Sequence, residues 1–200
     1  MRIKQLHFIS GLTITLFVGL HLFNHFCSLF GIETYMEVMD NLRIVYRNIV
    51  VETILLLAVG VQIVSGIKLF FTTKKSGSFF RKLQIWSGLY LAFFLVMHVS
   101  AILVGRFVLE VDTNFYYGAA GLNIFPLMLF FVPYYGLAIL SFFGHIAGIH
   151  FMKMRQDVFG MSPKKQSHLI LGIGVLVMIA IFFGMTNGFE GFEIPEEYGV

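Results

Sequence analysis

Along the 200 residues, long apolar runs alternate with short polar ones. Five runs, residues 6–30, 50–71, 83–104, 125–151 and 169–185, are almost free of charge. Each is about as long as the ~20 residues an α-helix needs to cross a bilayer. In hydrocarbon the backbone must satisfy its own hydrogen bonds, so such runs are helices. The pattern predicts an all-α integral membrane bundle of five transmembrane helices, with residues 1–200 forming one domain. Residues 31–48 and 105–124, between spans, are long enough for short interfacial helices, though the pattern alone does not decide it. Pro133 removes a backbone donor within the fourth span and is expected to kink it.

Composition sharpens this picture. Hydrophobic residues make up 58% of the chain and charged residues only 12%, against roughly 25% charged in a soluble domain. Almost nothing is left over for a soluble part. The first apolar run is too long for the core of a cleavable signal and has no small-residue cleavage site behind it, so it is expected to remain as a span. Cys27 is the only cysteine, which excludes an internal disulfide, a CxxC site or a cysteine-held iron–sulfur cluster.

The charges that remain orient the chain. Arg2, Lys4, Lys74, Lys75, Arg81, Lys82, Lys153, Arg155, Lys164 and Lys165 fall on one side of the spans. Arg43, Arg47 and Arg106 fall on the other, with the acidic tail Glu190, Glu193, Glu196 and Glu197. By the positive-inside rule the N-terminus is cytoplasmic and the C-terminus outside. The basic residues border membrane spans, so the net charge of +3 does not point to nucleic acid.

Two spans share a motif. "SGLTITLFVGLH" occupies residues 10–21 and "SGLYLAFFLVMH" residues 87–98. His21 and His98 each lie 15 residues into their span, at a depth of roughly 22 Å along the helix axis. Both spans run outward, so the histidines reach one level in the outer half of the membrane. Two parallel helices presenting imidazoles at one level can clamp a metal macrocycle, and imidazole is an axial ligand for haem iron. Zinc fits less well, since a structural zinc site takes four ligands. The plainer alternative is a pair of histidines serving as interhelical hydrogen-bonding residues.

Serine and histidine are 11 residues apart in each repeat, three helical turns plus about 20°, so they share a face. Ser10 and Ser87 then lie about 16 Å below the histidines. Gly11 and Gly88 have no side chain and allow a neighbouring helix or a planar ligand to come close. His25, one turn beyond His21, is an alternative ligand, or meets a haem propionate or interfacial water. His7 and His168 open spans one and five, and His150 lies at the inner end of span four; an interfacial role suits His150 and His168. The inner half collects Ser10, Gln62, Lys68, Ser87 and His145 from four spans. Hydroxyl, amide and imidazole groups in an apolar cleft suit the two carbonyls of a quinone, although a lone Gln62 also serves as interhelical glue.

The segments "KQLHFISG…HLFNHF" and "RKLQIWSG…H" resemble the first and third helices of the cytochrome b membrane-anchor subunits of succinate dehydrogenases and fumarate reductases. The resemblance extends over nearly the whole chain. It implies that His21 and His98 hold a haem b far from the soluble subunits. The family's other haem takes a histidine about four residues before a small residue on helices two and four. In "QIVSGIKLFFTTK" that position is Gln62, before Gly66; in "GHIAGIHFMK" it is Gly144, before Gly148, with His145 one residue away. One residue is ~100° of helix rotation, so one haem b per chain is expected. "LHFISG" also resembles the single-haem pattern in which a serine lines the quinone pocket, here Ser10. The resemblance implies a multi-pass protein of a bacterial cytoplasmic membrane. It would anchor flavoprotein and iron–sulfur subunits on the cytoplasmic face and pass electrons between their clusters and membrane quinone. Alternative readings are a membrane cytochrome b serving another oxidoreductase, and a haem-free structural anchor. A transporter is disfavoured, because no span is broken by paired Gly/Pro and no acidic residue lies at mid-membrane.

Overall fold

The computed structural model describes residues 3–199, so Arg2 of the basic face lies outside the described residues. The chain is all-helical: α1 (Ile3–Phe26), α2 (Ile32–Tyr46), α3 (Ile49–Thr72), α4 (Phe79–Phe107), α5 (Phe115–Asn123), α6 (Met128–Lys153) and α7 (Pro163–Met185). Five helices are long and apolar enough to cross a membrane: α1 with the 3₁₀ turn after it (Ile3–Phe30), α3, α4, α6 and α7.

Helix starts follow local chemistry. Asn48, Ser78 and Ser162 each accept a hydrogen bond from a backbone N–H in the first turn of α3, α4 and α7, satisfying a donor the helix leaves free. Pro163 then occupies the first turn of α7, where a missing N–H costs nothing. Helix α6 is unbroken from Met128 to Lys153 and carries Pro133 in its second turn.

The spans pack in a ring: α1 against α3, α3 against α4, α4 against α6, α6 against α7, and α7 back against α1. Among the described residues, the backbone of α1 does not come close to that of α4 or α6, nor that of α3 to that of α6, and the space between them is the centre of the ring. The α4–α6–α7 side is tight. A Cβ on Gly148 would meet Gln84 Cβ at 2.6 Å, and one on Gly174 would meet Phe143 Cβ at 2.6 Å. Small residues permit such approach where burial drives no association. Leu16, Leu57, Val64 and Leu176 point outward and are exposed, as on a surface solvated by lipid.

The largest buried core lies at the end of the bundle opposite the N-terminus. There α2 and α5, the two interspan segments, place Tyr35, Met39, Phe115, Ala119 and Leu122 against Ile139 of α6 and Ile181 and Met185 of α7. The C-terminal tail is tied to this cap. Asn123 Nδ2 donates to the Met185 carbonyl (3.0 Å), Phe192 N–H donates to Asn123 Oδ1 (2.9 Å), and Asn114 Nδ2 donates to the Tyr198 hydroxyl (2.9 Å).

Candidate functional site

The open centre of the ring is a cavity of about 840 Å³, within the range of small-molecule and cofactor sites. Its wall carries His7 and His145 toward the N-terminal end, Gly11, Gln62 and Gly88 above them, then His21, His25 and His98, and finally Arg43, Arg47 and Arg106. The rest of the lining is mostly aliphatic and aromatic, including Phe17, Leu55, Phe94 and Ile102.

His21 and His98 come from helices whose backbones keep apart, yet their ring centroids are 6.0 Å apart. Each ring is steadied by an aromatic neighbour one turn earlier on its own helix: Phe17 stacks on His21 and Phe94 on His98. His25 joins from α1, with its Nε2 3.1 Å from His21 Nε2 and its Nδ1 3.4 Å from the Tyr35 hydroxyl. His98 has no hydrogen-bond partner among the described residues. An imidazole–metal bond is about 2 Å, and the ring centre lies about 1 Å further, so a metal between two imidazoles needs centroids about 6 Å apart. The residue types, the centroid spacing and the apolar wall are compatible with a bis-histidine macrocycle, for which His21 Nε2 would have to exchange its contact with His25 for the metal. The described residues contain no group of three or more His, Cys, Asp or Glu placed to hold a bare metal ion.

The inner half is organised by a hydrogen-bonded chain. Ser10 Oγ donates to Gln62 Oε1 (2.7 Å), Gln62 Nε2 lies 3.4 Å from His7 Nε2, and His7 Nδ1 lies 2.9 Å from Ser65 Oγ. With its proton on Nδ1, His7 donates to Ser65 and accepts from Gln62, while Ser65 donates to the Val61 carbonyl (2.5 Å). Gly11 makes room for this chain, since a Cβ there would lie 3.2 Å from Gln62 Nε2. On α6, His145 turns Nδ1 to the Gln84 carbonyl (2.9 Å), and that bond leaves Nε2 free. Its ring lies against Gly88, where a Cβ would come within 2.9 Å of His145 Cε1. Gly11 and Gly88 therefore clear space for side chains of α3 and α6 in the inner half, well below the level of His21 and His98.

Of the residues assembled from sequence, Gln62 and His145 line the cavity and Ser10 acts on it through Gln62. Ser87 does not reach the cavity; its hydroxyl donates to the Leu83 carbonyl of its own helix (2.6 Å). Lys68 is exposed and is not in the lining. His150 is held by Gln166 Oε1 (2.8 Å) and His168 by the Lys164 carbonyl (2.8 Å). His7 is the residue that sequence reasoning left at the boundary. It lies 14 residues before His21, four turns less about 40°, so helical arithmetic places it on the cavity face.

Comparison of the chain with protein-family models, with curated proteins and with solved structures finds no match.

The far mouth is charged. Arg43 forks onto Asp112 (2.8 and 3.3 Å), Arg106 pairs closely with Glu52, and Arg47 donates to Thr113 Oγ1 (3.0 Å). Burial, followed by the neighbouring Arg43 and Arg106, holds the Arg47 guanidinium below its ordinary pKa. Burial is the largest influence on Arg43 and pulls it the same way, but the hydrogen bond and charge of Asp112 together with Tyr46 outweigh it and the net shift is upward.

Proposed function

We propose that the chain is a five-span membrane cytochrome b, in which His21 of α1 and His98 of α4 hold one haem b, and that it serves as the quinone-reactive anchor of a succinate dehydrogenase or fumarate reductase type complex. The observation that carries the reading is the pair of imidazoles, repeated in sequence and converging at 6.0 Å across the cavity from helices whose backbones keep apart. His98, without a hydrogen-bond partner, has a nitrogen available for the iron. Bound there, haem supplies a one-electron carrier inside the membrane.

The inner half then serves quinone. Gln62 and His7 present amide and imidazole groups fixed by Ser10 and Ser65, and His145 faces the same space with Nε2 free. The basic loops support a cytoplasmic position for this end of the bundle by the positive-inside rule, and the resemblance implies a bacterial membrane. Flavoprotein and iron–sulfur subunits would dock on that side. Succinate and fumarate chemistry would belong to the flavoprotein, and this chain would position the quinone and carry electrons to it or from it.

The test is a reduced-minus-oxidised spectrum of the purified chain with haem counted per polypeptide, for wild type and His98→Ala. One low-spin b haem per chain, lost in the variant, is the expected result. No haem in the wild type would leave the histidines as interhelical hydrogen-bonding residues of a structural anchor. Haem without co-purifying flavoprotein and iron–sulfur subunits would assign the cytochrome to another oxidoreductase.

A further inference from the structure

The cavity wall is incomplete on one side. Around α1, His7 and Ser10 reach α3 through Ser65 and Gln62, whereas Phe8 reaches α6, with Lys153 Nζ 4.5 Å from its ring centroid. Phe8, Leu12 and Thr15, spaced four and three residues apart, form the α6-side edge of α1. All three line the cavity, and all three are exposed, Phe8 by 56% and Leu12 by 64%. A side chain is both only where the cavity opens outward. Leu12 stands nine residues, about 13 Å, beyond the start of α1, so the opening is in the side of the bundle and not at its end. Across from it Ile146, Ile149 and Lys153 of α6 line the same space. The backbones of α1 and α6 keep apart, and α7 does not fill the interval at this level. Among the described residues, none of α7 before Ile181 lines the cavity. At the outer end α7 closes on the turn that follows α1, where a Cβ on Gly184 would meet Leu29 N at 2.7 Å.

We infer that this seam between α1 and α6 holds the isoprenoid tail of the quinone, whose head lies at Gln62 and His145 while its chain leaves past Leu12 into the lipid. This rests on the quinone reading above. The level of the opening argues for it. Leu12 follows Gly11, where a Cβ would lie 3.2 Å from Gln62 Nε2, so the polar groups and the opening stand side by side. Phe8 and Lys153 meet across the cytoplasmic end of the seam, a cation over a ring face, and set its lower limit. A phospholipid has an apolar chain too, and Lys4 and Lys153 at the rim suit its phosphate. Its charged headgroup stays at the rim, because an ion taken to the depth of Gln62 is expensive. The Gln62 amide and the free Nε2 of His145 are instead matched to an uncharged carbonyl. The occupant that meets both demands has a neutral polar head and a long apolar tail.

The test uses the full-length chain in nanodiscs of phosphatidylcholine and phosphatidylglycerol, with a polyprenyl naphthoquinone that carries a diazirine on the first isoprene unit of its tail. Illumination, digestion and mass spectrometry locate the label. It is expected on residues 8–15 of α1 and 142–153 of α6, and excess dimethylnaphthoquinone, the same head without a tail, displaces it. Leu12→Trp fills the seam and is expected to lower this labelling at least about fivefold. Leu16→Trp, one turn on, lies outside the lining and is 71% exposed; it should leave the labelling within about twofold. Undiminished labelling in Leu12→Trp overturns the inference, as do equal losses in the two variants. Label that the tailless quinone displaces but that lies on other helices also overturns it, while leaving the quinone reading in place. Label in the seam that added phosphatidylglycerol displaces and the tailless quinone does not would assign the seam to a lipid chain and overturn it as well. No label above background on any helix would instead remove the quinone reading itself, an outcome distinct from the others.

Discussion

Gly148 is where α4 and α6 come closest beside the inner half of the cavity, and adding one methyl group there tests that packing. In Gly148→Ala the new Cβ would meet Gln84 Cβ at 2.6 Å, the Phe80 carbonyl oxygen at 2.7 Å and Gln84 Cα at 3.1 Å. Two of the three atoms are backbone, so no rotamer change relieves the clash and the helices must part by several tenths of an ångström. Overpacking of this kind costs about 1–3 kcal/mol. Gly60→Ala on α3 is the control, because nothing lies within 4 Å of its Cβ, and its expected effect is within about 0.5 kcal/mol. Equilibrium unfolding in mixed micelles, followed by tryptophan fluorescence from Trp86 on α4, measures both. Parting α4 from α6 should also loosen His145, whose Nδ1 bond ends on the carbonyl of that same Gln84. Equal stability of Gly148→Ala and wild type would refute the argument, as would equal losses in the two variants.

Replacing Gln62 with Leu removes the link between Ser10 and His7; haem content should be unchanged while reduction of the haem by a quinol analogue slows about tenfold, the worth of roughly one lost hydrogen bond. An unaltered rate would remove Gln62 from the quinone site. Glu52→Gln leaves Arg106 without its partner in a position where both side chains are 21% exposed; a loss of about 1.5–3 kcal/mol in the same unfolding assay is expected, and no loss would mean that the pair is solvated. Burial raises the phenol of Tyr35 on α2 well above its ordinary value. The native state then holds that proton after the unfolded chain has released it, so the contribution is complete below about pH 10 and declines as pH rises beyond it. Tyr35→Phe should flatten this alkaline decline, and an identical slope in the two proteins would count against it.

The spans were legible because the bilayer selects on composition over a fixed length, and all five apolar runs became helices. Their ends were less so. The run 83–104 lies within a helix from Phe79 to Phe107, since Ser78 caps it and Arg81, Lys82 and Arg106 tolerate helix outside hydrocarbon. Apolarity measures the membrane, and capping measures the helix. The interspan segments stayed open for the same reason: α2 and α5 are held by burial of Tyr35 and Phe115 against α6 and α7, a tertiary contact with no local signature. In the site, the repeat put His21 and His98 at one level, since period and depth are both written in the chain, and their rings lie 6.0 Å apart. It treated Ser10 and Ser87 as equivalents, and they are not. Ser10 faces Gln62 on α3, whereas Ser87 turns its hydroxyl back on its own helix. Which partner a serine meets depends on the neighbouring helix, which no repeat records.

The chain of side chains from Ser10 to Ser65 has a further property. At one end Ser10 also lies within 2.9 Å of the Leu6 carbonyl, and at the other Ser65 donates to the Val61 carbonyl. Both ends thus terminate on groups that carry no proton to pass on. Within it every donor points one way, because the Gln62 amide nitrogen can only donate and Ser65 spends its proton on Val61, and this fixes the His7 proton on Nδ1. Both ring nitrogens of His7 are thereby engaged, and its ring lines the cavity wall. The arrangement is a clamp and not a relay: it ties α1 to α3 and holds one face of an imidazole still against the cavity.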